Sequence, residues 1–142
     1  MFGNETVDLI YASHCLEHFP YKQTKDILQE WHRVLKNGGV LRLSIPDFDK
    51  LVNIYQNNGN DPDAIIEQLM GGQNNRFNFH LTAINRINLE KLLKATGFSE
   101  IKEWHPGTNK QTTFDDFSTY KKDIDGTLYE ISLNIEATKR KQ

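Results

Sequence analysis

The stretch EWHRVLKNGGVLRLSIPD, residues 30–47, decides the fold because it joins a helix pattern directly to a strand pattern. Apolar residues at helical spacing predict a helix over residues 22–36, and the glycine pair at 38 and 39 is expected to stop it. The unbroken apolar character of residues 40–45 then predicts a buried strand, which Pro46 ends. The apolar face of the helix consists of Ile27, Leu28, Trp31, Val34 and Leu35.

Upstream of this stretch, the nearly continuous apolar run from Val7 to Ala12 predicts a second strand that is covered on both faces. Downstream, Asp47 is placed to cap a helix. Asp61 followed by Pro62 predicts the start of a shorter helix that runs to Met70. The helix after Asp47 is expected to bury an apolar stripe formed by Phe48, Leu51, Val52 and Tyr55.

The C-terminal part of the chain contains one further helix and two further strands. Leucines at helical spacing predict a helix over residues 88–96, and Gly97 fits the left-handed position that ends it. A strand is predicted over residues 98–104. Strict alternation of apolar and polar residues over 131–137 predicts the last strand. No regular element is predicted for residues 71–84 or 106–126.

This order of elements predicts an α/β fold. Strands that alternate with helices need crossover connections, which produce a mostly parallel sheet. We expect a sheet of three or four strands with helices on both faces, in a single domain over residues 1–142. Because no clear helix precedes the last strand, we expect that strand to run antiparallel.

Composition excludes several classes of protein. The 142 residues are 37% hydrophobic and 25% charged, which is typical of one globular domain. A net charge of −2 gives no field that would favour nucleic acid or an anionic membrane. No apolar run approaches the ~20 residues of a membrane span, and no secretory signal is recognisable. A single cysteine, Cys15, cannot form an internal disulfide. We therefore expect a cytoplasmic protein. The basic run at residues 139–141 is expected to be a solvated tail.

Four segments together resemble one protein family. Residues 4–18 resemble the family's fourth strand and the turn after it, residues 30–47 its next helix, glycine turn and fifth strand, and residues 89–98 the helix before its sixth strand. Residues 131–137 resemble its antiparallel seventh strand. The family is the class I, Rossmann-like S-adenosylmethionine-dependent methyltransferases. The resemblance implies methyl transfer from S-adenosylmethionine to an acceptor, which we expect to be a small molecule.

The resemblance covers the C-terminal half of such an enzyme. Family members carry a glycine-rich loop and a ribose-binding acidic residue on earlier strands. This sequence has no Gly-x-Gly, and its glycine pairs follow predicted helices rather than strands. We therefore expect a truncated methyltransferase domain that binds S-adenosylmethionine weakly by itself. The alternative is a non-catalytic interaction module that associates through an exposed edge of its sheet.

The candidate site lies where the predicted strands end. By the resemblance, Ala12, Ser13 and His14 form the turn beside the methyl donor, and ligands of open α/β sheets bind at the carboxyl ends of strands. Asp47 would lie nearby, at the end of the next strand. His14 and Asp47 are therefore the candidate catalytic residues, with His14 as a general base for a protonated nucleophile. The alternative for His14 is a histidine that stabilises the turn or packs against it.

Other chemistry suggested by the same residues is weaker. His14 to His18 match His-x-x-Glu-His, a zinc-protease pattern, but Pro20 leaves barely one helical turn, so we expect no metal site there. Cys15 is interpreted as a buried thiol rather than a nucleophile. Phe79 and His80 are interpreted as a substrate-side loop or lid, with anchoring of that loop in the core as the alternative.

The strand from Val7 to Ala12 also predicts self-association. In a complete methyltransferase this strand has a neighbour on each side, whereas here one row of its backbone groups lacks a partner strand. We expect a homodimer in which the strand pairs with its own copy across a two-fold axis. The alternatives are coverage of this edge by the N-terminal residues or by residues 106–126.

Overall fold

A computed structural model describes residues 2–112 and 115–140. The helices and strands follow one another in this order: β1 (Val7–Ser13), α1 (Thr24–Val34), β2 (Leu35–Pro46), α2 (Phe48–Asn57), α3 (Ile66–Met70), α4 (Arg86–Ala95), β3 (Phe98–Glu103), β4 (Lys121–Ile124), β5 (Thr127–Glu130) and β6 (Ser132–Lys139). Within the described part of the chain, no helix has both the length and the apolar character needed to cross a membrane.

The main sheet has four strands in the order β1-β2-β6-β3. β1 pairs with β2 in parallel, and β6 pairs antiparallel with both β2 and β3. Three of the four strands therefore run in the same direction. The α/β fold and the antiparallel last strand are confirmed. The reason for the reversal is that β6 follows the β4–β5 hairpin, without the helical crossover that a parallel strand requires.

The first helix and the glycine pair differ from the prediction. α1 ends at Val34 rather than near residue 36, and the chain enters β2 at once. Pairing with β1 jumps from Leu35 to Val40, so the residues between them form an irregularity within the strand. Gly39 is required there because a Cβ would lie 2.8 Å from the Lys36 carbonyl oxygen. The glycines therefore shape this irregularity, and they do not end the helix.

The apolar face of the sheet forms the core with α1 and α4. Leu41, Leu43 and Ile135 are fully buried on this face, against Leu28 of α1 and Leu89 of α4. A smaller cluster lies between α2 and the β4–β5 hairpin. The buried face of α2 differs from the predicted stripe. Leu51 and Ile54 are the buried residues of this helix, whereas Phe48, which was predicted to be buried, is 39% exposed.

The opposite face of the sheet is polar and is covered by the segment that follows β3. Nε of Arg42 donates to Glu136 at 2.7 Å, and Nη1 donates to the Thr112 hydroxyl at 3.1 Å. Lys102 lies 3.2 Å from the other oxygen of Glu136. Burial alone raises the pKa of Glu136, but the bonds from Arg42 and Lys102 outweigh it and hold the pKa below its usual value.

The C-terminal basic run is not simply a solvated tail. Lys139 is the last residue of β6 and is 5% exposed. Its Nζ donates to the Leu35 carbonyl at 2.8 Å and lies 3.2 Å from Glu5. The buried ammonium of Lys139 therefore has hydrogen-bonding and ionic partners within the fold, as a buried charge requires and a solvated tail does not. Lys141 lies outside the described residues.

Candidate active site

A cavity of about 310 Å3 opens at the carboxyl ends of β1 and β2. The strand ends contribute Ser13, His14 and Pro46, and the loop after α3 contributes His80. Phe117, which precedes the hairpin, closes another side. This is the edge at which open α/β sheets bind ligands. The predicted turn and the predicted substrate-side loop therefore meet at one cavity.

His14 is held firmly in this turn. Its φ of 46° is in the left-handed region, and its N–H donates to the Ser44 carbonyl at 2.7 Å. Nε2 lies 2.9 Å from the Ser132 hydroxyl, which itself donates to the Phe117 carbonyl. Because the hydroxyl has only one proton, it must accept from Nε2 of His14. A general-base role for Nε2 would therefore require this hydrogen bond to open and the ring proton to move to Nδ1, which lies 3.2 Å from Glu17.

Of the other residues predicted at the strand ends, only Ser13 lines the cavity, and Ala12 and Asp47 lie elsewhere. Ser13 lines the cavity, while Ala12 is only 8% exposed and its side chain packs in the core. Asp47 is buried and caps α2, accepting the Asp49 N–H at 3.1 Å. Burial raises the pKa of Asp47. Pro46, rather than Asp47, lines the cavity, so Asp47 has an evident structural role and its catalytic role stays a prediction.

In the loop after α3, Phe79 and His80, the two residues predicted from the sequence, each form a hydrogen bond to another part of the chain. Nδ1 of His80 donates to the Gln68 carbonyl at 2.9 Å, and burial lowers the pKa of its imidazole. Phe79 is 39% exposed, and its carbonyl accepts from Nδ1 of His18 at 3.1 Å. Only His80 of this pair lines the cavity.

The structure also brings together three residues that sequence reasoning did not combine. Ligand atoms of Glu17, His18 and His80 all lie within 4.8 Å of one another, an arrangement that could hold a metal ion. The zinc-protease pattern would need His14 and His18 on one helix, which the sequence did not favour, and residues 16–18 form only a 3₁₀ turn. His80 is far away in sequence, and no local spacing signals that it approaches the turn.

Cys15 shows no sign of nucleophilic activation. Burial raises the pKa of its thiol, and the nearby Glu17 carboxylate raises it further. Since the thiolate is the reactive form, both effects keep Cys15 protonated.

A larger depression of about 650 Å3 lies at the opposite edge of the sheet, beside Gly38, Ser99 and Lys139. It is at the amino ends of β2 and β3, and the adjacent ammonium of Lys139 is already bound to Leu35 and Glu5. Strand carboxyl ends are the usual ligand site in this class of sheet. We therefore take the cavity beside His14 as the candidate site.

Comparisons with known proteins agree with this fold. The sequence matches the model of a methyltransferase domain over residues 1–43. No curated protein matches the sequence. A SAM-dependent methyltransferase from Archaeoglobus fulgidus is 16% identical with a TM-score of 0.57, over 97% of this chain and 62% of that one. A second, from Methanosarcina mazei, is 18% identical with a TM-score of 0.57, over 99% of this chain and 63% of that one.

A third structure contains ligands. The 1,6-didemethyltoxoflavin-N1-methyltransferase of Burkholderia thailandensis, with bound 1,6-didemethyltoxoflavin and S-adenosylhomocysteine, is 14% identical with a TM-score of 0.56. The match covers 99% of this chain and 47% of that one. In strand arrangement, and in sequence over residues 1–43, the chain therefore resembles the class I, Rossmann-like S-adenosylmethionine-dependent methyltransferases.

Proposed function

We propose that this chain supplies the acceptor side of an S-adenosylmethionine-dependent methyltransferase. The observation that carries the proposal is the cavity at the carboxyl ends of β1 and β2, with His14 held in its wall, in a fold shared with methyltransferases. The methyl donor binds beside Ala12, Ser13 and His14. A cavity of about 310 Å3 suits a small-molecule acceptor.

Methyl transfer depends strongly on position. The acceptor atom must approach the sulfonium methyl in line, so rigid walls that fix the acceptor contribute much of the rate. His14 is suited to orient an acceptor because Ser44 and Ser132 fix its backbone and ring. If the acceptor atom carries a proton, Nε2 can take it only after the bond to Ser132 opens and the ring proton moves to Nδ1, which lies beside Glu17.

The test uses the chain alone and a version extended upstream by three strands and a glycine-rich loop. We expect methyl transfer from radiolabelled S-adenosylmethionine to a panel of small hydroxyl and amine acceptors only in the extended version. His14→Ala should lower turnover by about 100-fold or more if His14 acts as a base. Asp47→Asn keeps an oxygen that can cap α2 and removes the charge, so it tests the charge separately.

The control is His105→Ala, because His105 is exposed and does not line this cavity. Each variant is also melted thermally, so that a loss of activity can be separated from a loss of stability. Turnover that stays unchanged in both His14→Ala and Asp47→Asn would remove these residues from the site. A folded, extended protein that transfers no methyl group to any acceptor would contradict the proposed function.

A second candidate function is favoured by the position of β1 at the edge of the sheet. Leu9 and Ile10 are half-buried there, and exposed edges of this kind pair readily with other strands. Among the described residues, no strand other than β2 pairs with β1. We propose that two copies of the chain pair through β1 about a two-fold axis, whether or not methyl transfer occurs.

Sedimentation equilibrium at micromolar concentration tests this association. We expect a dimer of the 16.5 kDa chain, and Leu9→Lys should shift it towards monomer because an edge lysine disfavours strand pairing. The control is Lys91→Ala, on the exposed side of α4. A substitution of Asp8 on β1 would not serve as a control, because Asp8 forms an ion pair with Lys36. A clean monomer for the unmodified chain would contradict the proposal.

A further inference from the structure

Three potential metal ligands converge beside the cavity, and none of the three lies on a strand. Glu17 and His18 lie on the 3₁₀ turn after β1, whereas His80 comes from the loop after α3. Their ligand atoms lie within 4.8 Å of one another, and the rings of His18 and His80 are 4.9 Å apart. His18 and His80 both line the cavity.

The two histidines are oriented in the same way. Nδ1 of His18 faces the Phe79 carbonyl at 3.1 Å, and Nδ1 of His80 faces the Gln68 carbonyl at 2.9 Å. A carbonyl oxygen can only accept, so each Nδ1 carries a proton, which leaves each Nε2 with a lone pair in the neutral ring. Histidines that bind metals characteristically donate their other ring N–H to a carbonyl or carboxylate in this manner.

Glu17 supplies an independent observation. Its side chain is only 3% exposed, and within residues 2–112 and 115–140 neither carboxylate oxygen accepts a hydrogen bond. Nδ1 of His14 lies 3.2 Å from one of the two oxygens. Burial of a carboxylate without hydrogen bonds is costly unless a cation compensates for it. The Nε2 lone pairs of His18 and His80 cannot compensate, because they too are acceptors. His14 could do so only as an imidazolium, since the proton of its neutral ring lies on Nε2 and is donated to Ser132.

We propose that Glu17, His18 and His80 form a binding site for a divalent transition-metal ion, with Zn2+ as the best match. Two imidazoles and one carboxylate are a donor set that zinc takes in sites with an open fourth position. Imidazole ligands disfavour Mg2+ and Ca2+, which prefer all-oxygen sites. The remaining position is available to water or to a ligand in the cavity.

The observed spacing is compatible with such a site. Metal–ligand distances of about 2.0–2.2 Å place tetrahedral donors about 3.3–3.6 Å apart. The ligand atoms of the three residues lie within 4.8 Å of one another, so they need only small movements to close on an ion. The proposal does not depend on methyl transfer, because it concerns binding alone.

Calorimetric titration of the chelator-treated chain with zinc chloride tests the proposal. We expect saturable one-to-one binding with a micromolar or lower dissociation constant, together with a rise in melting temperature, since the ion binds the folded state. Glu17→Gln, which keeps the shape of the side chain, and His80→Ala should each weaken binding by at least about tenfold. Circular dichroism checks that both variants are folded.

Two controls separate this site from other ligands. His105→Ala, which removes an exposed histidine elsewhere, should leave zinc affinity unchanged. Cys15→Ser should also leave it unchanged, and the visible spectrum of the Co2+-loaded chain should lack a thiolate charge-transfer band. Absence of saturable zinc binding would overturn the proposal, as would wild-type affinity in folded Glu17→Gln and His80→Ala, or loss of binding in Cys15→Ser alone.

Discussion

Replacement of Glu136 by alanine is expected to lower the free energy of unfolding by about 3–5 kcal/mol. Glu136 accepts from Nε of Arg42 at 2.7 Å and lies 3.2 Å from Lys102. Arg42 is only 9% exposed, so its guanidinium cannot recover full hydration when the carboxylate is removed. The cost therefore comes mainly from the buried charge that is left unpaired, and less from the loss of an attraction.

The matched control for this change is Glu130→Ala. Glu130 also lies close to two lysines, at 3.6 Å from both Lys50 and Lys121, but its side chain is 65% exposed. Exposed ion pairs contribute about 1 kcal/mol or less. Urea denaturation of both variants gives the comparison. Equal losses of stability in Glu136→Ala and Glu130→Ala would show that burial of Arg42 is not decisive.

The second large effect is expected at Gly71, which positions the loop that contains His80. Gly71 has φ 79° and ψ 161°, a region that is almost restricted to glycine. A Cβ at this position would lie 2.6 Å from the Asn78 carbonyl oxygen and 3.0 Å from the His80 nitrogen. Gly71→Ala therefore combines backbone strain with a backbone clash, and we expect it to cost about 3 kcal/mol or more.

Gly59→Ala provides the control for Gly71→Ala. Gly59 also has a positive φ, 73°, but a Cβ there would meet nothing within 4 Å. Only the left-handed backbone is then penalised, at about 1–2 kcal/mol. Besides the difference in stability, only Gly71→Ala should shift the NMR signals of the His80 ring, because only this change displaces the 78–80 segment. A Gly71 variant no less stable than the Gly59 variant would contradict this explanation.

Local rules explain why much of the fold could be predicted. Asp47 accepts the N–H two residues later and caps α2, as predicted. Asp61 accepts in the same way, but it caps a 3₁₀ turn over Pro62–Ala64, and the α-helix that was predicted to start there begins only at Ile66. Gly97 has φ 95°, as its role at the end of α4 requires. These features depend on residues that are adjacent in sequence, and so the sequence is enough to assign them.

The hairpin of β4 and β5 was not predicted, although it occupies part of the unassigned region. Its strands have four residues each; β4 alternates between exposed and half-buried residues, but in β5 only Tyr129 is half-buried. Its stability comes from contacts with α2, where Ile124 and Tyr129 pack near Leu51 and Ile54. Such contacts join distant parts of the chain, and composition alone does not reveal them.

The candidate site divides in the same way. The sequence alone placed His14 at the end of a strand, because the apolar run and its position before a turn are local properties, and the structure puts it in the wall of the cavity. Tertiary structure alone decided that His80 approaches Glu17 and His18, and that Ser132 of β6 engages the His14 ring. Strand pairing and loop closure bring these residues together across long separations in sequence. Their proximity follows from the packing of the whole sheet and its loops, and no local pattern of residues determines it.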